Sequence, residues 1–196
     1  MLTYSDACER NKDPILQILK SQLYGCRTVL EIGSGSAQHA VHFAHRLPNL
    51  IWFTSDIADN LENINTRLEM EGSENAQRAL ELDVSQFPWP LQAVDAIFSA
   101  NTLHIISWQH VECFFQGAGQ ILGAGGKLIV YGPFRYNEQY TSESNAQFDV
   151  WLKQRDPESA IRDFEAVDAL ARKQDLILVD DFAMPANNQI VVWHKQ

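Results

Sequence analysis

The chain has 196 residues, of which 45% are apolar and 20% are charged, and its formal net charge is −10. This length suits one domain with a sizeable core, so we expect a single domain over residues 1–196. No apolar run approaches the roughly 20 residues of a membrane-spanning helix, and we expect no membrane partner. The fifteen basic residues are scattered, which disfavours nucleic acid and favours a small-molecule substrate.

The N-terminus and the cysteines indicate the compartment. Residues 1–9 contain no basic segment followed by an apolar stretch, so we expect no secretory signal. Cys8, Cys26 and Cys113 lie far apart, and a disulfide framework or a zinc site would need more cysteines. Free thiols in a reducing cytosol are the simplest interpretation, and we predict a cytoplasmic protein. The sequence is silent on oligomeric state.

The predicted elements alternate between helix and strand. Residues 4–12 are expected to be irregular, and Asp13-Pro14 to begin a first helix that stops near Gly25. Further helices are predicted at 37–47, 58–71, 107–122, about 145–155, and 164–173. Strands are predicted at 28–32, 50–54, 78–82, 94–100, 127–131, 176–182 and 190–193.

Alternating strands and helices favour an α/β fold with helices on both faces of the sheet. The last two strands are joined by Met184–Asn188, which is too short for a crossover helix, so this pair must be antiparallel. We therefore predict a Rossmann-like, seven-stranded, mostly parallel sheet with its last strand antiparallel.

A glycine turn, Gly33-Ser34-Gly35, follows the first predicted strand and precedes a helix. Ligands of doubly wound sheets bind beyond the carboxyl ends of the strands, and glycines let a ligand approach the backbone. Glu31, Asp56 and Asp83 place one carboxylate near the end of each of three consecutive strands. A carboxylate on the second strand suits the hydroxyls of a ribose. The alternative is that the three are ordinary turn-forming acids.

This pattern and the reversed last strand resemble class I S-adenosylmethionine-dependent methyltransferases. The resemblance implies that Glu31 and Gly33–Gly35, with Ser34, line the methionine portion of S-adenosylmethionine. It implies that Asp56 binds the ribose hydroxyls, and the next residue, Ile57, is a further candidate cofactor contact. Many members of the superfamily have a third glycine where this chain has Ala37.

The same resemblance assigns the next two strand ends. Asp83 and Val84 would read the adenine, and Ala100 and Asn101 would close the floor near the transferred methyl group. Methyltransferases of this fold often place an N-terminal segment over the cofactor, so the resemblance favours residues 1–13 as a lid.

A closer resemblance connects the chain to a methyltransferase-like family long described only as a domain of unknown function. The segments that carry it include Cys8-Glu9-Arg10-Asn11-Lys12, Gln38-His39-Ala40, Gly132-Pro133-Phe134, Ile161-Arg162-Asp163 and Met184-Pro185-Ala186-Asn187-Asn188. This family supplies no substrate to transfer.

The lid makes Arg10 and Asn11 candidate cofactor contacts, although a flexible terminus is the alternative. His39 lies one turn into the helix after the glycine turn and could also face the cofactor. His39, His42 and His45 recur every third residue, but no acid or cysteine completes a ligand set nearby, so we predict no metal site.

His104 follows the fourth strand, where the substrate meets this fold, and is our candidate general base. A plain loop histidine is the alternative. The insertion at 132–162 is longer than most loops and is expected to be a substrate lid. Its aromatic and polar side chains are our substrate candidates: Arg135, Tyr136, Tyr140, Glu143 and Asn145. A surface lid that only packs its aromatics is the alternative.

The resulting hypothesis is an S-adenosylmethionine-dependent methyltransferase that acts on an unidentified small molecule. The alternative is a non-catalytic protein that binds S-adenosylmethionine or S-adenosylhomocysteine as a sensor or partner subunit. A nicotinamide-dependent oxidoreductase is disfavoured, because its Gly-x-Gly-x-x-Gly fingerprint needs glycine where this chain has Gln38.

Overall fold

The computed structural model describes residues 2–196. Its strands, in chain order, are β1 (Thr28–Ile32), β2 (Ile51–Asp56), β3 (Ala76–Glu81), β4 (Val94–Ala100), β5 (Leu122–Gly132), β6 (Phe134–Tyr136), β7 (Gln139–Tyr140), β8 (Arg162–Asp163), β9 (Leu176–Met184) and β10 (Asn188–Lys195). Its α-helices are α1 (Asp6–Gln22), α2 (Gln38–Arg46), α3 (Ala58–Glu71), α4 (Trp108–Ile121), α5 (Glu143–Arg155) and α6 (Phe164–Arg172).

Seven strands form the central sheet in the order β3-β2-β1-β4-β5-β10-β9. The pairs among β1 to β5 are parallel, and Leu30 of β1 lies between Phe53 of β2 and Ile97 of β4. Strand β10 is antiparallel to both of its neighbours, β5 and β9. The predicted mostly parallel sheet with a reversed last strand is confirmed.

The sheet has a hydrophobic core on each face, because successive side chains of a strand point to opposite sides. On one face α1 and α2 bury Ile15 and Phe43 against Trp52. On the other, α4 buries Phe115 beside Trp193. Each fully buried large apolar side chain contributes about 1.5–3 kcal/mol relative to exposure, so both layers hold the strand ends in fixed positions.

Helix α1 begins at Asp6, eight residues before the predicted first helical residue, Pro14, so the expected irregular segment at 4–12 was wrong. The Ser5 hydroxyl caps the helix by accepting a hydrogen bond from the Cys8 amide, and Asp6 and Glu9 place negative charge in the first turn. Pro14 lies inside the helix, where it removes one backbone hydrogen bond. The amphipathic packing of the following turns outweighs that loss.

Two further elements differ from the prediction. Strand β5 begins at Leu122, so the glycine-rich segment 123–126 is part of a strand. The insertion contains α5, as predicted, but also a small sheet in the order β7-β6-β8. Its strands have two or three residues each, too few to show a periodic pattern. No helix within residues 2–196 combines the length and the apolar composition needed to cross a membrane.

Candidate active site

The glycine turn joins β1 to α2 and depends on both of its glycines. Gly33 and Gly35 have φ angles of 76° and 53°, in the left-handed region that favours glycine. The amides of Gly33 and Ser34 both donate to the Ser55 carbonyl at 3.0 Å. A Cβ on Gly33 would lie 2.6 Å from Oγ1 of Thr102. The turn is therefore packed directly against the loop that follows β4.

Ala37 occupies the position where the superfamily often has a third glycine. Its φ is 58°, also in the left-handed region, and it precedes the first residue of α2. An alanine in this conformation costs about 1–2 kcal/mol relative to ordinary helical backbone. The backbone that a third glycine would favour is thus present, and the chain adopts it with some strain.

Glu31 lies beneath the turn and is buried. Its Oε2 atom accepts hydrogen bonds from Oγ of Ser34 at 2.9 Å and from Nε1 of Trp52 at 3.2 Å. Burial raises the pKa of Glu31 to about 7, although the two hydrogen bonds oppose this and nearby Asp56 adds to it. Glu31 does not line the cavity described below, so it supports the turn from inside.

Asp56 ends β2 and connects the turn to α3. Its Oδ2 atom accepts from the Gly35 amide at 2.7 Å, and its Oδ1 atom accepts from the Ile57 amide and from Nδ2 of Asn60, both at 2.8 Å. An ionised carboxylate accepts about four hydrogen bonds. A diol can therefore bind Asp56 if the Asn60 side chain rotates away.

The residues predicted to contact adenine lie at the neighbouring strand end. Oδ1 of Asp83 accepts from the amide of Ser85 at 2.9 Å and from its hydroxyl at 2.7 Å, and these bonds lower the pKa of Asp83. Val84 is buried, whereas Ile57 is about half exposed. None of Asp83, Val84 and Ile57 lines the cavity described below.

A cavity of about 740 Å³, here called the main cavity, lies beyond the carboxyl ends of β1 and β4. Its walls are the glycine turn, the start of α1, the start of α3, the loop after β4 and one face of α5. Ala100 and Asn101 lie in this wall, and Asn101 has a left-handed φ of 57°. The volume is within the range of small-molecule sites.

The start of α1 is fixed to the start of α2. Oε1 of Gln38 accepts from the Ser5 amide at 2.7 Å, and Oδ1 of Asn11 lies 2.7 Å from Nε2 of His39. Burial lowers the pKa of His39 to about 3, so its neutral ring donates this hydrogen bond. Of the predicted lid, residues 1–13, Met1 lies outside the described residues, and residues 6–13 form the first half of α1, which covers the turn. His39 lines the main cavity, whereas Arg10 and Asn11 line a neighbouring one.

His104 also lines the main cavity and is 5% exposed. Burial, with a smaller contribution from Arg162, lowers the pKa of His104 to about 4. The loop that carries it is held by a 2.9 Å hydrogen bond from Nε of Arg162 to the Leu103 carbonyl. Within residues 2–196 its imidazole has no hydrogen-bond partner. His104 is thus a neutral imidazole with free acceptor capacity.

The five predicted substrate residues lie elsewhere in the insertion: Arg135, Tyr136, Tyr140, Glu143 and Asn145 line neither the main cavity nor its neighbour. The Tyr136 hydroxyl donates to Asp181 and the Tyr140 hydroxyl to Asp149, both at 2.7 Å. The guanidinium of Arg135 stacks on the Tyr140 ring, and Glu143 is exposed. Asn145 donates to the Asn187 carbonyl at 3.0 Å. These contacts favour structural roles, and a role in substrate binding stays a prediction.

Helix α5 instead presents Phe148, Trp151 and Arg155 to the main cavity. Sequence reasoning missed them, although their spacing of three and four residues marks one helix face. The guanidinium of Arg155 lies 4.7 Å from the centre of the Trp151 ring, and Phe148 stacks on the same residue. The insertion therefore reaches the site through a different set of side chains than predicted.

Like His39, the other two recurring histidines, His42 and His45, have protein partners. Nε2 of His42 lies 2.9 Å from Oδ1 of Asp13, and Nε2 of His45 lies 2.8 Å from the Glu71 carbonyl. In the part of the chain that the structure describes, no three histidine, cysteine or acidic side chains lie close enough to hold a metal ion.

Three solved structures similar to this chain illustrate its fold. An O-methyltransferase family protein from Burkholderia thailandensis has a TM-score of 0.83 at 14% identity, over 97% of this chain and 58% of its own. Human N-acetylserotonin methyltransferase in complex with SAM has a TM-score of 0.83 at 14% identity, and the match covers 97% of this chain and 53% of the human chain. PigF with SAH has a TM-score of 0.79 at 16% identity, and the match covers 97% of this chain and 64% of the PigF chain.

This chain thus spans a little over half the length of these structures, and it has the class I methyltransferase fold. A family profile described as "Protein of unknown function (DUF938)" matches residues 2–195. With nearly the whole sequence matched, the chain belongs to the DUF938 family.

Proposed function

We propose that this protein is an S-adenosylmethionine-dependent methyltransferase that acts on a small molecule. The observation that carries the proposal is the main cavity, which brings the glycine turn of β1 together with His104 and the aromatic face of α5. One end thus suits a nucleoside cofactor bound at strand ends, and the other suits an acceptor.

The residues at the turn fit the proposed cofactor. A Cβ built on Gly35 would meet only the Gly33 carbonyl at 4.0 Å, so a ligand can approach this backbone closely. Asp56 has acceptor capacity for a ribose diol, and its carboxylate contacts the Gly35 amide of the turn. Ile57, Asp83 and Val84 stand at the adjacent strand ends, where an adenine would extend.

S-adenosylmethionine supplies a methyl group that its sulfonium charge makes electrophilic. The protein's contribution is orientation and a closed site. Asn101 and Thr102 line the floor between the turn and His104, and Phe148 and Trp151 line the side formed by α5. Neutral His104 accepts the proton that an acceptor oxygen or nitrogen loses as it gains the methyl group.

The test combines binding with transfer. S-adenosylhomocysteine is titrated into the protein by calorimetry, with NADH as the competing dinucleotide. Methyl-labelled S-adenosylmethionine is then incubated with the protein and a small-molecule extract. The proposal expects binding of S-adenosylhomocysteine, no binding of NADH and a labelled product.

Two results would contradict the proposal. Binding without a labelled product in any extract favours the non-catalytic sensor or partner protein. Binding of NADH in place of S-adenosylhomocysteine favours an oxidoreductase, and with it a different reaction.

A further inference from the structure

A second cavity of about 480 Å³, here called the adjoining cavity, lies next to the main cavity. Both are lined by Ala7 and Asn101, so they meet at the carboxyl end of β4. The adjoining cavity continues over Tyr131, near the end of β5, and over Pro185, Ala186 and, at the start of β10, Asn188. Since β5 and β10 lie on the far side of β4 from β1 and β2, this cavity extends away from Asp56.

The polar groups of the adjoining cavity are donors or neutral amides. Asn11 and Tyr131 are 9% and 3% exposed, and Arg10, Asn101 and Asn188 complete the polar lining. None of its lining residues is acidic, although the chain has 25 acidic residues and only 15 basic ones. A cavity with this lining selects a ligand that accepts hydrogen bonds and carries negative charge.

Arg10 is the one cationic residue of that lining. It forms no ion pair with any of residues 2–196, whereas Arg67, Arg78 and Arg172 each pair with a carboxylate of their own surroundings. Its guanidinium is therefore available to a carboxylate from outside the chain. Arginine binds carboxylates well because its planar fork can donate two parallel hydrogen bonds.

The outer wall of the adjoining cavity is held in a strained conformation. Ala186 and Asn187 both have φ angles of 57°, in the left-handed region. The backbone carbonyl of Asn187 accepts from Nδ2 of Asn145 in α5 at 3.0 Å, and the side-chain Nδ2 of Asn187 donates to Oγ of Ser144 at 3.3 Å. Strain of this kind persists where neighbouring contacts fix it, and it is common at ligand sites. The helix that lines the main cavity thus also holds the wall of the adjoining one.

We infer that the adjoining cavity binds a carboxylate of the methyl acceptor, which pairs with Arg10 and is hydrogen-bonded by Asn11 and Tyr131. The inference rests on the proposed function and names the acceptor class, a small carboxylic acid. With its carboxylate in the adjoining cavity, the acceptor's reactive atom lies at the junction beside Asn101, between the glycine turn and His104.

Arg10 has one competing role, as a partner of the cofactor's own carboxylate. The geometry disfavours it, because no residue of the glycine turn lines the adjoining cavity. Arg10 lies on the side of Asn101 that faces β5 and β10. Binding of S-adenosylhomocysteine to an Arg10 variant distinguishes the two roles.

The test uses benzoate as a carboxylate probe and benzamide as its neutral analogue, titrated into the protein saturated with S-adenosylhomocysteine and followed by NMR. Arg10→Gln removes the charge and Arg10→Lys keeps it. Arg78→Gln is the matched control, because Arg78 is 77% exposed on β3 and pairs only loosely with Glu69. Tyr131→Phe removes the buried hydroxyl.

The inference expects benzoate to bind at least tenfold more tightly than benzamide. Arg10→Gln should weaken benzoate about tenfold or more, as loss of a charge-assisted hydrogen bond does, and Tyr131→Phe a few-fold. Arg78→Gln should stay within about threefold of the wild type, whereas Arg10→Lys, which keeps the charge but loses the bidentate fork of the guanidinium, should weaken benzoate less than Arg10→Gln does.

Equal binding of benzoate and benzamide, or benzoate binding that Arg10→Gln leaves unchanged, would overturn the inference. A tenfold loss of S-adenosylhomocysteine affinity in Arg10→Gln would also overturn it, since Arg10 would then serve the cofactor. If S-adenosylhomocysteine does not bind the wild type at all, the proposed function fails, and the benzoate titration without it still decides whether this anion site exists.

Discussion

The two halves of the site are built in different ways. The half over β1, β2 and β3 is built from segments that are close in sequence. Asp56, for example, accepts hydrogen bonds from Gly35 and Asn60. The half over β4, β5 and β10 is assembled from α1, the loop after β4, α5 and the hairpin at 185–188, which are far apart in sequence. A local motif identifies the first half, whereas only the folded chain defines the second.

The largest effect on the first half is expected from Asp56→Asn. The substitution keeps the side chain's shape but replaces a charged acceptor of the proposed ribose diol with a neutral amide. Charge-assisted hydrogen bonds are each worth about 1.5–3 kcal/mol, so we expect the Kd for S-adenosylhomocysteine to rise about hundredfold. Isothermal titration calorimetry measures it.

Asp175→Asn is the matched control, because Asp175 is 76% exposed and its left-handed backbone tolerates asparagine. It should leave the Kd unchanged. An Asp56→Asn protein that binds as tightly as the control would remove Asp56 from the cofactor site.

In the second half, His104→Gln should lower the rate of labelled methyl incorporation about hundredfold, the lower range for a lost general base. The Kd for S-adenosylhomocysteine should not change, since His104 acts on the acceptor. His45→Gln, which alters an exposed histidine bonded to the Glu71 carbonyl, is the control. A rate equal to that of the control would leave His104 as a residue of the wall only.

The junction of the two halves is tested by Gly33→Ala. The new Cβ meets Thr102, which belongs to the loop after β4, so we expect about a tenfold loss of S-adenosylhomocysteine affinity and a loss of stability. Gly125→Ala is the control, because Gly125 has a φ of 81° and nothing within 4 Å of an added Cβ. It should lower the free energy of unfolding by about 1–2 kcal/mol without affecting binding.

Adding Thr102→Ala to Gly33→Ala should restore part of the affinity, because it removes the atom in closest contact. A double-mutant cycle with Thr102→Ala alone gives the coupling. Zero coupling would show that the turn and the loop are independent.

The smallest effect on binding, but a clear one on stability, is expected from Glu31→Gln. Folding raises the pKa of Glu31 from 4.5 to about 7, so the folded state disfavours the ionised carboxylate. The free energy of unfolding therefore falls as pH rises from about 4.5 to 7. The loss is on the order of 3 kcal/mol and complete above pH 7. Glu31→Gln should therefore become increasingly more stable than the wild type between pH 5 and pH 8.

Urea unfolding at several pH values measures that difference. His39 and His104, whose pKa values are lowered to about 3 and 4, destabilise the fold as pH falls below about 6.5, and they do so equally in both proteins. Their contribution cancels in the comparison. A difference between Glu31→Gln and wild type that does not change with pH would contradict the assignment.

Local patterns predicted the parts of the fold that local physics determines. The predicted boundaries of β1, α3 and β4 match the structure, because turn residues and apolar patterns of these segments point to one element each. The start of α1 was missed, since it depends in part on Gln38 binding the Ser5 backbone from 33 residues away. A pattern of residues within 4–12 cannot predict a contact with so distant a residue.

The candidate site divides in the same way. The glycine turn, Asp56 and His104 stand where the sequence predicted, and their chemical roles stay predictions. The aromatic face of α5 and the adjoining cavity could not be predicted from the sequence. Tertiary packing decides which face of α5 lines the main cavity and which cavity Arg10 lines. Tyr136 and Tyr140, two of the predicted substrate residues, donate hydrogen bonds to Asp181 and Asp149, and their role in substrate binding stays a prediction.

A crystal structure of the protein with S-adenosylhomocysteine tests the central claim most directly. The account predicts the ribose diol on Asp56 with the Asn60 side chain rotated away, the amino-acid end beside Gly33–Gly35, and the sulfur directed toward Asn101 and His104. S-adenosylhomocysteine bound in the adjoining cavity, or a complex in which Asp56 keeps its bond to Asn60 and contacts no ligand, would contradict it.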